Sequence, residues 1–308
     1  MGADCRNSSK SIVSLLSSLL TAAGFYVSDA GLTPAPALRL SVRNFEYSGG
    51  IMVTGSAEPP GINRLKLFDS LGFPLTLSQR PTMVVRKTSW DKLGAAYPEE
   101  QVVPNYMRKL VAASLGPFKR HIKIVIDIGN GMQALAGPRI IENLGATVIT
   151  LNGNIDGAFP SRGPGLSPKS LRGLSEVVRE FKAHLGIAYD ADGDRAVFLD
   201  ANGLLRAEDL VAGQILRFIL RGTHQRTVVT SGDSTTIQKL ANEFRLKLIQ
   251  VQGHSANLSH LVAQYGAIFG YNGNGRYVYT LFAPIEDPVI ASILLAHSIC
   301  SNDTPGSD

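Results

Sequence analysis

Between Tyr189 and Asp200 the chain reads YDADGDRAVFLD, with Asp190, Asp192 and Asp194 at alternate positions around Gly193 and apolar residues on both sides. Three carboxylates within five residues repel one another, and a cation set among them turns that repulsion into binding. An EF-hand loop shares the acids at positions 1, 3 and 5, yet it requires Gly at position 6 and Glu at position 12. Arg195 and Ala201 stand there, so that reading fails. Mg²⁺ accepts carboxylate oxygens together with a phosphate oxygen in near-octahedral geometry. Arg195, directly after the loop, has the planar fork that holds a phosphate oxygen bidentately. The chemistry such a loop serves is phosphoryl transfer.

A phosphoryl group in transit needs a carrier, and residues 49–68, GGIMVTGSAEPPGINRLKLF, offer one. An apolar strand runs into Thr54-Gly55-Ser56, and Pro59-Pro60 forces a sharp loop before the next strand. That places the Ser56 hydroxyl at the carboxyl end of a strand, where α/β sheets present their ligands.

Both stretches sit in an α/β rhythm. Helices are expected at 10–23, 35–44, 98–114, 134–144, 167–183, 207–221, 234–245, 256–264 and 287–299. Strands are expected at 24–28, 50–54, 64–68, 122–128, 146–151, 185–189, 196–200, 226–230, 246–251 and 267–270. The fold class is therefore α/β, with three consecutive α/β domains whose mixed sheets are sandwiched by helices. Their boundaries are set at 1–116, 117–206 and 207–308, the first near Gly116-Pro117.

The 308 residues are 18% charged and 44% hydrophobic, ordinary for a globular protein. A net charge of +5 suits anionic small molecules, and no Lys/Arg run interleaved with aromatics points to nucleic acid. Cys5 and Cys300 lie far apart and outside any metal-ligand spacing, which favours a reducing, cytoplasmic setting. The apolar residues Ile12, Leu15, Leu16, Leu19 and Leu20 follow Arg6 and Lys10 as a signal sequence would, but their helical spacing fits an amphipathic helix packed on a sheet. No apolar run reaches membrane-spanning length.

Two partial matches to other chemistries fall away. DADG at 190–193 is similar to the nucleophile motif of haloacid dehalogenase phosphatases, but Asp194 stands where Thr or Val follows. GNG at 129–131 mimics a dinucleotide fingerprint, although the next strand ends in Leu151-Asn152 and lacks the ribose-binding acid.

Several motifs, in order along nearly the whole chain, resemble those of the α-D-phosphohexomutases, the family of phosphoglucomutase and phosphomannomutase. TGSAEPPGINRLK at 54–66 aligns without a gap with the family's reactive loop TASHNPPxxNGxK, and DADGDR at 190–195 matches its metal loop DGD(G/A)DR. GADCRNSS at 2–9, LTPAPAL at 32–38, DIGNGM at 127–132, DGAFPSRGP at 156–164 and QGHS at 252–255 are also similar to family motifs. The resemblance implies a hexose phosphate substrate, Ser56 as phosphoryl carrier and metal neighbour, and Mg²⁺ on Asp190, Asp192 and Asp194. It also implies that Arg6 and Arg195 hold the phosphoryl group, that Lys66 transfers protons, and that His254 contacts the sugar.

Departures accompany it. His and Asn of the reactive loop are Ala57 and Glu58, the following glycine is Arg64, and the sugar-reading GExSGH appears as Tyr271 to Arg276, YNGNGR. Asn272, Asn274 and Arg276 then occupy the sugar-binding positions, and Asn272 cannot supply the charge-assisted bonds of a carboxylate. By the resemblance, the family's fourth domain and its opening strand and helix are expected to be missing, and a second chain is expected as one way to complete the cleft. Three functions are therefore expected: an Mg²⁺-dependent phosphohexomutase working through phosphoserine, a non-catalytic phosphosugar-binding paralogue or partner of a full-length mutase, and a phosphatase-like activity on water.

Overall fold

A computed structural model describes residues 1–75, 88–231, 234–251 and 258–301. The first third contains β1 (Gly2–Ala3), α1 (Ser9–Ala22), β2 (Val27–Asp29), α2 (Ala35–Asn44), β3 (Gly50–Thr54), β4 (Arg64–Phe68), β5 (Ala96–Pro98) and α3 (Val102–Ala113). Next come β6 (Lys123–Asp127), α4 (Gly137–Asn143), β7 (Thr147–Leu151), α5 (Arg172–Glu180), β8 (Leu185–Tyr189) and β9 (Ala196–Leu199). The last third holds α6 (Glu208–Ile219), β10 (Thr227–Ser231), α7 (Thr235–Phe244), β11 (Lys247–Val251), α8 (Leu258–Gln264), β12 (Phe269–Tyr271), β13 (Tyr277–Tyr279), β14 (Ala283–Glu286) and α9 (Pro288–Cys300).

The expected mixed α/β architecture is present. One sheet runs β1-β3-β4, with β3 and β4 antiparallel and Met52 opposite Lys66. A second runs β7-β6-β8-β9, parallel except for β9, and a third runs β11-β10-β12-β13-β14, whose last two strands are antiparallel. β2 and β5 form a separate parallel pair.

Along β6 the pleat sends Ile124 and Ile126 into one buried cluster and Val125 into another beneath α5. The larger cluster is continuous. It joins Leu40 of α2, Leu110 of α3, Phe198 of β9, Ile215 of α6, Phe269 of β12 and Leu294 of α9, and so links two helices of the first third to the second and third sheets.

Some elements differ from the pattern. Pro98, expected to open a helix over 98–114, instead ends a strand over residues 96–98 that pairs with β2, and α3 starts at Val102. The stretch 167–183 divides into a 3₁₀ turn over Pro168–Leu171 and the shorter α5. β13 and β14 were hidden by glycines before and a proline within them. In α1 the expected stripe is only half used: Ile12 and Leu16 pack, with buried Val13 from outside the stripe, on Ala3 of β1 and Val53 of β3, while Leu15 and Leu19 remain 60% and 58% exposed. Among the described residues no helix is long and apolar enough to cross a membrane.

α9 is apolar on every side and almost wholly buried, so its stability rests on its start. Asp287 caps it, accepting hydrogen bonds from the amides of Val289 at 2.8 Å and Ile290 at 3.0 Å. Burial pushes the Asp287 carboxyl up to about 6, a rise that the two amide bonds only partly oppose. An acid whose folded value is raised binds its proton more tightly in the fold, so its contribution to stability is present below the unfolded value and is lost as pH rises towards about 6. Asp287→Asn keeps the cap and removes the charge. Urea melts between about pH 4 and pH 6 should show wild-type stability falling relative to Asp287→Asn, and parallel curves would refute this.

Candidate active site

The acidic loop is the turn between β8 and β9, where Tyr189 and Ala196 are register partners. Its shape depends on Gly193, which takes φ +70°, and a Cβ there would lie 2.6 Å from Cγ of Gln133. Asp190 Oδ1 closes the loop by accepting from the amides of Asp194 and Arg195, both at 3.1 Å. Three outside contacts then fix it. Gln133 Nε2 donates to the Gly193 carbonyl at 2.9 Å, the Met132 amide to that of Ala191 at 2.9 Å, and the Ala35 amide to that of Asp192 at 2.9 Å.

Ser56 arrives from β3, and the structure brings it onto this loop: its hydroxyl donates to Asp190 Oδ2 at 3.1 Å. The backbone turns sharply, with Ser56 itself at φ +51°, uncommon for a residue with a side chain. Thr54 holds that turn. Its hydroxyl accepts from the Ser56 amide at 2.9 Å and donates to Asp4 Oδ2 at 2.7 Å. Arg6, buried beside Asp4 in an ion pair, donates through Nη2 to the carbonyls of Ser56 at 2.8 Å and Glu58 at 2.6 Å, and its guanidinium lies 5.1 Å from the Phe159 ring centre. Arg6 is thus placed against the backbone of the reactive loop, with Nε left without a partner.

One oxygen from each of Asp190, Asp192 and Asp194 lies within 4.8 Å of the others. Oδ1 of Asp192 and of Asp194 are buried without a hydrogen-bond partner. Orphaned, converging carboxylate oxygens of this kind fit a hard divalent cation. Lys66, across from Met52 on β4, places its ammonium 2.6 Å from Asp192 Oδ2 and 2.9 Å from Asp194 Oδ2. Burial opposes the Lys66 charge, but the two carboxylates outweigh it and raise its pKa, so it keeps its proton. Burial likewise opposes ionisation of Asp194, yet Arg276, Lys66 and Arg195 hold its carboxyl far below the usual range. Burial and the two neighbouring acids push Asp190 up instead. Arg195 contributes its Nε at 3.6 Å from Asp194 and 4.0 Å from Asp190.

The turn between β12 and β13 docks beside the same loop. The Gly275 carbonyl accepts from the Ala196 amide at 3.0 Å, and Arg276 Nη2 donates to Asp194 Oδ2 at 3.2 Å. Asn272 is buried and its Oδ1 accepts from the Asn274 amide at 3.2 Å, shaping the turn that carries half-buried Asn274. A cavity of about 450 Å³ opens beside them, lined in part by Arg39, Lys66, Asp194, Arg276 and Glu286. His254 lies outside the described residues. Glu58, the added anion, turns away from Ser56 onto Arg64 at 2.5 Å in an exposed pair, so two departures from the motif compensate each other.

Sequence reasoning passed over the groups that hold these parts. Asp4 and Thr54 set the reactive loop, Gln133 braces Gly193, and Arg162 ties the middle sheet to the metal loop. Arg162 Nε meets Asp127 Oδ2 at 2.9 Å, Nη1 donates to the Gly165 carbonyl at 2.7 Å, and Nη2 donates to the carbonyl of Tyr189, the residue before Asp190. All four stand in or directly beside the quoted motifs, and that was the signal available.

Known proteins resemble this chain over most of its length. Residues 1–91 match the model for phosphoglucomutase/phosphomannomutase α/β/α domain I, and residues 104–203 match that for domain II. A phosphoglucosamine/phosphogalactosamine mutase of Sulfurisphaera tokodaii is 26% identical over all of this chain and 70% of its own length. A phosphoglucomutase/phosphomannomutase of Thermococcus kodakarensis is 28% identical over 92% of this chain and 64% of its own. Among solved structures, a phosphoglucomutase/phosphomannomutase family protein of Burkholderia thailandensis superposes with a TM-score of 0.85 at 20% identity, covering 97% of this chain and 68% of that one. The chain spans about two thirds of the length of these relatives.

Proposed function

The chain belongs to the α-D-phosphohexomutase family, and from that premise we propose that it moves a phosphoryl group between two positions of a hexose phosphate through a phosphoserine at Ser56. The observation that carries this reading is the 3.1 Å contact between the Ser56 hydroxyl and Asp190, inside the cluster formed with Asp192 and Asp194.

Asp190, Asp192 and Asp194 would hold Mg²⁺, which when bound neutralises charge on the group in transfer. Arg195 stands at the rim of the loop to grip phosphoryl oxygens, while Arg6 fixes the carbonyls of Ser56 and Glu58 and so aims the carrier. Lys66, kept protonated by Asp192 and Asp194, gives a proton to the serine oxygen as its bond to phosphorus breaks, the proton lost by the attacking sugar hydroxyl restores the Lys66 charge, and the return transfer runs the same exchange in reverse. Lys66, Asp194 and Arg276 line the adjoining cavity, where the sugar ring would lie with its acceptor hydroxyl towards Ser56. The relatives' names support a panel that includes amino sugars.

The protein is incubated with Mg²⁺, a trace of hexose bisphosphate and, in turn, the 1-phosphates of glucose, mannose and glucosamine. Formation of a 6-phosphate is expected, and intact mass should show one added phosphoryl group mapping to Ser56. No product from any of these sugars, together with an unmodified Ser56, would rule the proposal out.

A further inference from the structure

The loop over residues 156–164, after β7, holds a large buried side chain on an unfavourable backbone. Phe159 takes φ +50°, a conformation that bulky residues avoid. Such a backbone persists only where its surroundings over-determine it, and here they do. The Phe159 amide donates to the Asp156 carbonyl at 3.0 Å, its own carbonyl accepts from the Gly163 amide at 3.1 Å, and Ser161 Oγ donates to Asn130 Oδ1 at 2.6 Å. Gly157 brings the loop against the first third so closely that a Cβ there would lie 2.1 Å from the Cys5 carbonyl oxygen.

What the ring meets is Arg6. The guanidinium carbon lies over the ring, 5.1 Å from its centre, and Gly55 of the reactive loop comes so near that a Cβ there would be 2.7 Å from the same carbon. Nη1 reaches Asp4 and Nη2 the carbonyls of Ser56 and Glu58, but buried Nε has no hydrogen-bond partner. With that edge unpinned, the attraction between cation and ring face, strengthened where water is excluded, fixes the guanidinium plane. The same loop also reaches the metal loop: the Pro164 carbonyl accepts from the Ala191 amide at 3.1 Å, and Arg162 donates to the Tyr189 carbonyl. One loop of the middle third therefore touches both halves of the site. We propose that Phe159 is a positioning residue that, by fixing Arg6, sets where Ser56 stands relative to Asp190. Phe159 does not line the cavity of about 450 Å³, so it has no part in holding a sugar. The kinetic consequence rests on the phosphoserine reading above; the hold on the reactive loop does not.

Phe159→Leu keeps an apolar side chain and loses the ring. Its kcat for sugar-phosphate conversion should fall at least about tenfold while KM stays within about twofold of wild type, and Phe159→Tyr, which keeps the ring face, should hold kcat within about threefold. Hydrogen exchange followed by mass spectrometry reads the reactive loop without any turnover. In Phe159→Leu the peptide over residues 54–63 should exchange at least about fivefold faster, while peptides of β6 and β8 keep their wild-type rates. Arg6→Lys, which leaves the buried ring in place, should reproduce both effects, and adding Phe159→Leu to it should change neither further. Unchanged kcat or unchanged exchange over 54–63 in Phe159→Leu overturns the proposal, and so does a rise in exchange spread over the whole protein. If Phe159→Leu does not fold, Arg6→Lys decides alone, and wild-type kcat with wild-type exchange over 54–63 in that variant overturns the proposal. A wild type that converts no sugar phosphate, beside a Phe159→Leu variant whose reactive loop exchanges faster, would remove the phosphoserine reading and leave the hold of Phe159 on that loop standing.

Discussion

Ser56→Ala should abolish conversion of hexose 1-phosphates to 6-phosphates, a loss of at least about a thousandfold, while the protein melts within a degree or two of wild type. The asymmetry follows from what the side chain touches. Ser56 donates only to Asp190 Oδ2, and Asp190 keeps its two amide bonds from Asp194 and Arg195 without it. Thr54, Asp4 and Arg6 hold the reactive loop through the backbone, so its course does not depend on the hydroxyl. Ser56→Thr is the sharper companion: it retains a hydroxyl but sets a β-branched residue at φ +51°, a conformation such side chains avoid. Its activity should fall between the two. Phosphate release that persists in Ser56→Ala would show that another group, or water, does the chemistry.

Arg162→Met should cost about 3–5 kcal/mol of stability, because removing one partner of a buried ion pair leaves Asp127 as an uncompensated buried charge. Asp127 and Arg162 have side chains only 3% and 4% exposed, so water cannot take over the lost contacts. Activity should fall too, since the same guanidinium holds the Tyr189 carbonyl at the entrance to the metal loop. Urea titration measures the first effect and the sugar-phosphate assay the second. The double variant Asp127→Asn with Arg162→Met should regain part of the loss, because the stranded charge is gone. A single variant as stable as wild type would show that the pair contributes only geometry.

The parts of the site that were legible in the sequence are those contained in short continuous stretches. DADGDR carries its ligands, its glycine and its arginine within six residues, and VTGSAEPP carries a strand end, a hydroxyl and a proline-bounded loop. What the sequence could not show is who holds these stretches in place. Gln133 braces Gly193 from 60 residues away, and Asp4 reaches Thr54 from 50. Glu58 and Arg64 illustrate the same limit. Their charges were plain, and the direction of the Glu58 side chain was settled only by the fold of the loop between them. β13 and β14 escaped for a different reason, because YNGNGRYVYT begins with turn residues and its strand is three residues long. The Arg39–Glu286 pair, with Ser259 donating to the carboxylate, joins residues more than 200 positions apart and left no local trace.

The buried cluster that runs unbroken from α2 to α9 packs two helices of the first third against the second and third sheets. Arg39 bolts α2 to β14 on one side of it, and the amide of Ala35 is fastened to the metal loop on another. Ser56, the three aspartates and Arg276 thus stand on one packed floor. If the proposed reaction runs through a doubly phosphorylated sugar, that intermediate would exchange its two ends by pivoting above this floor.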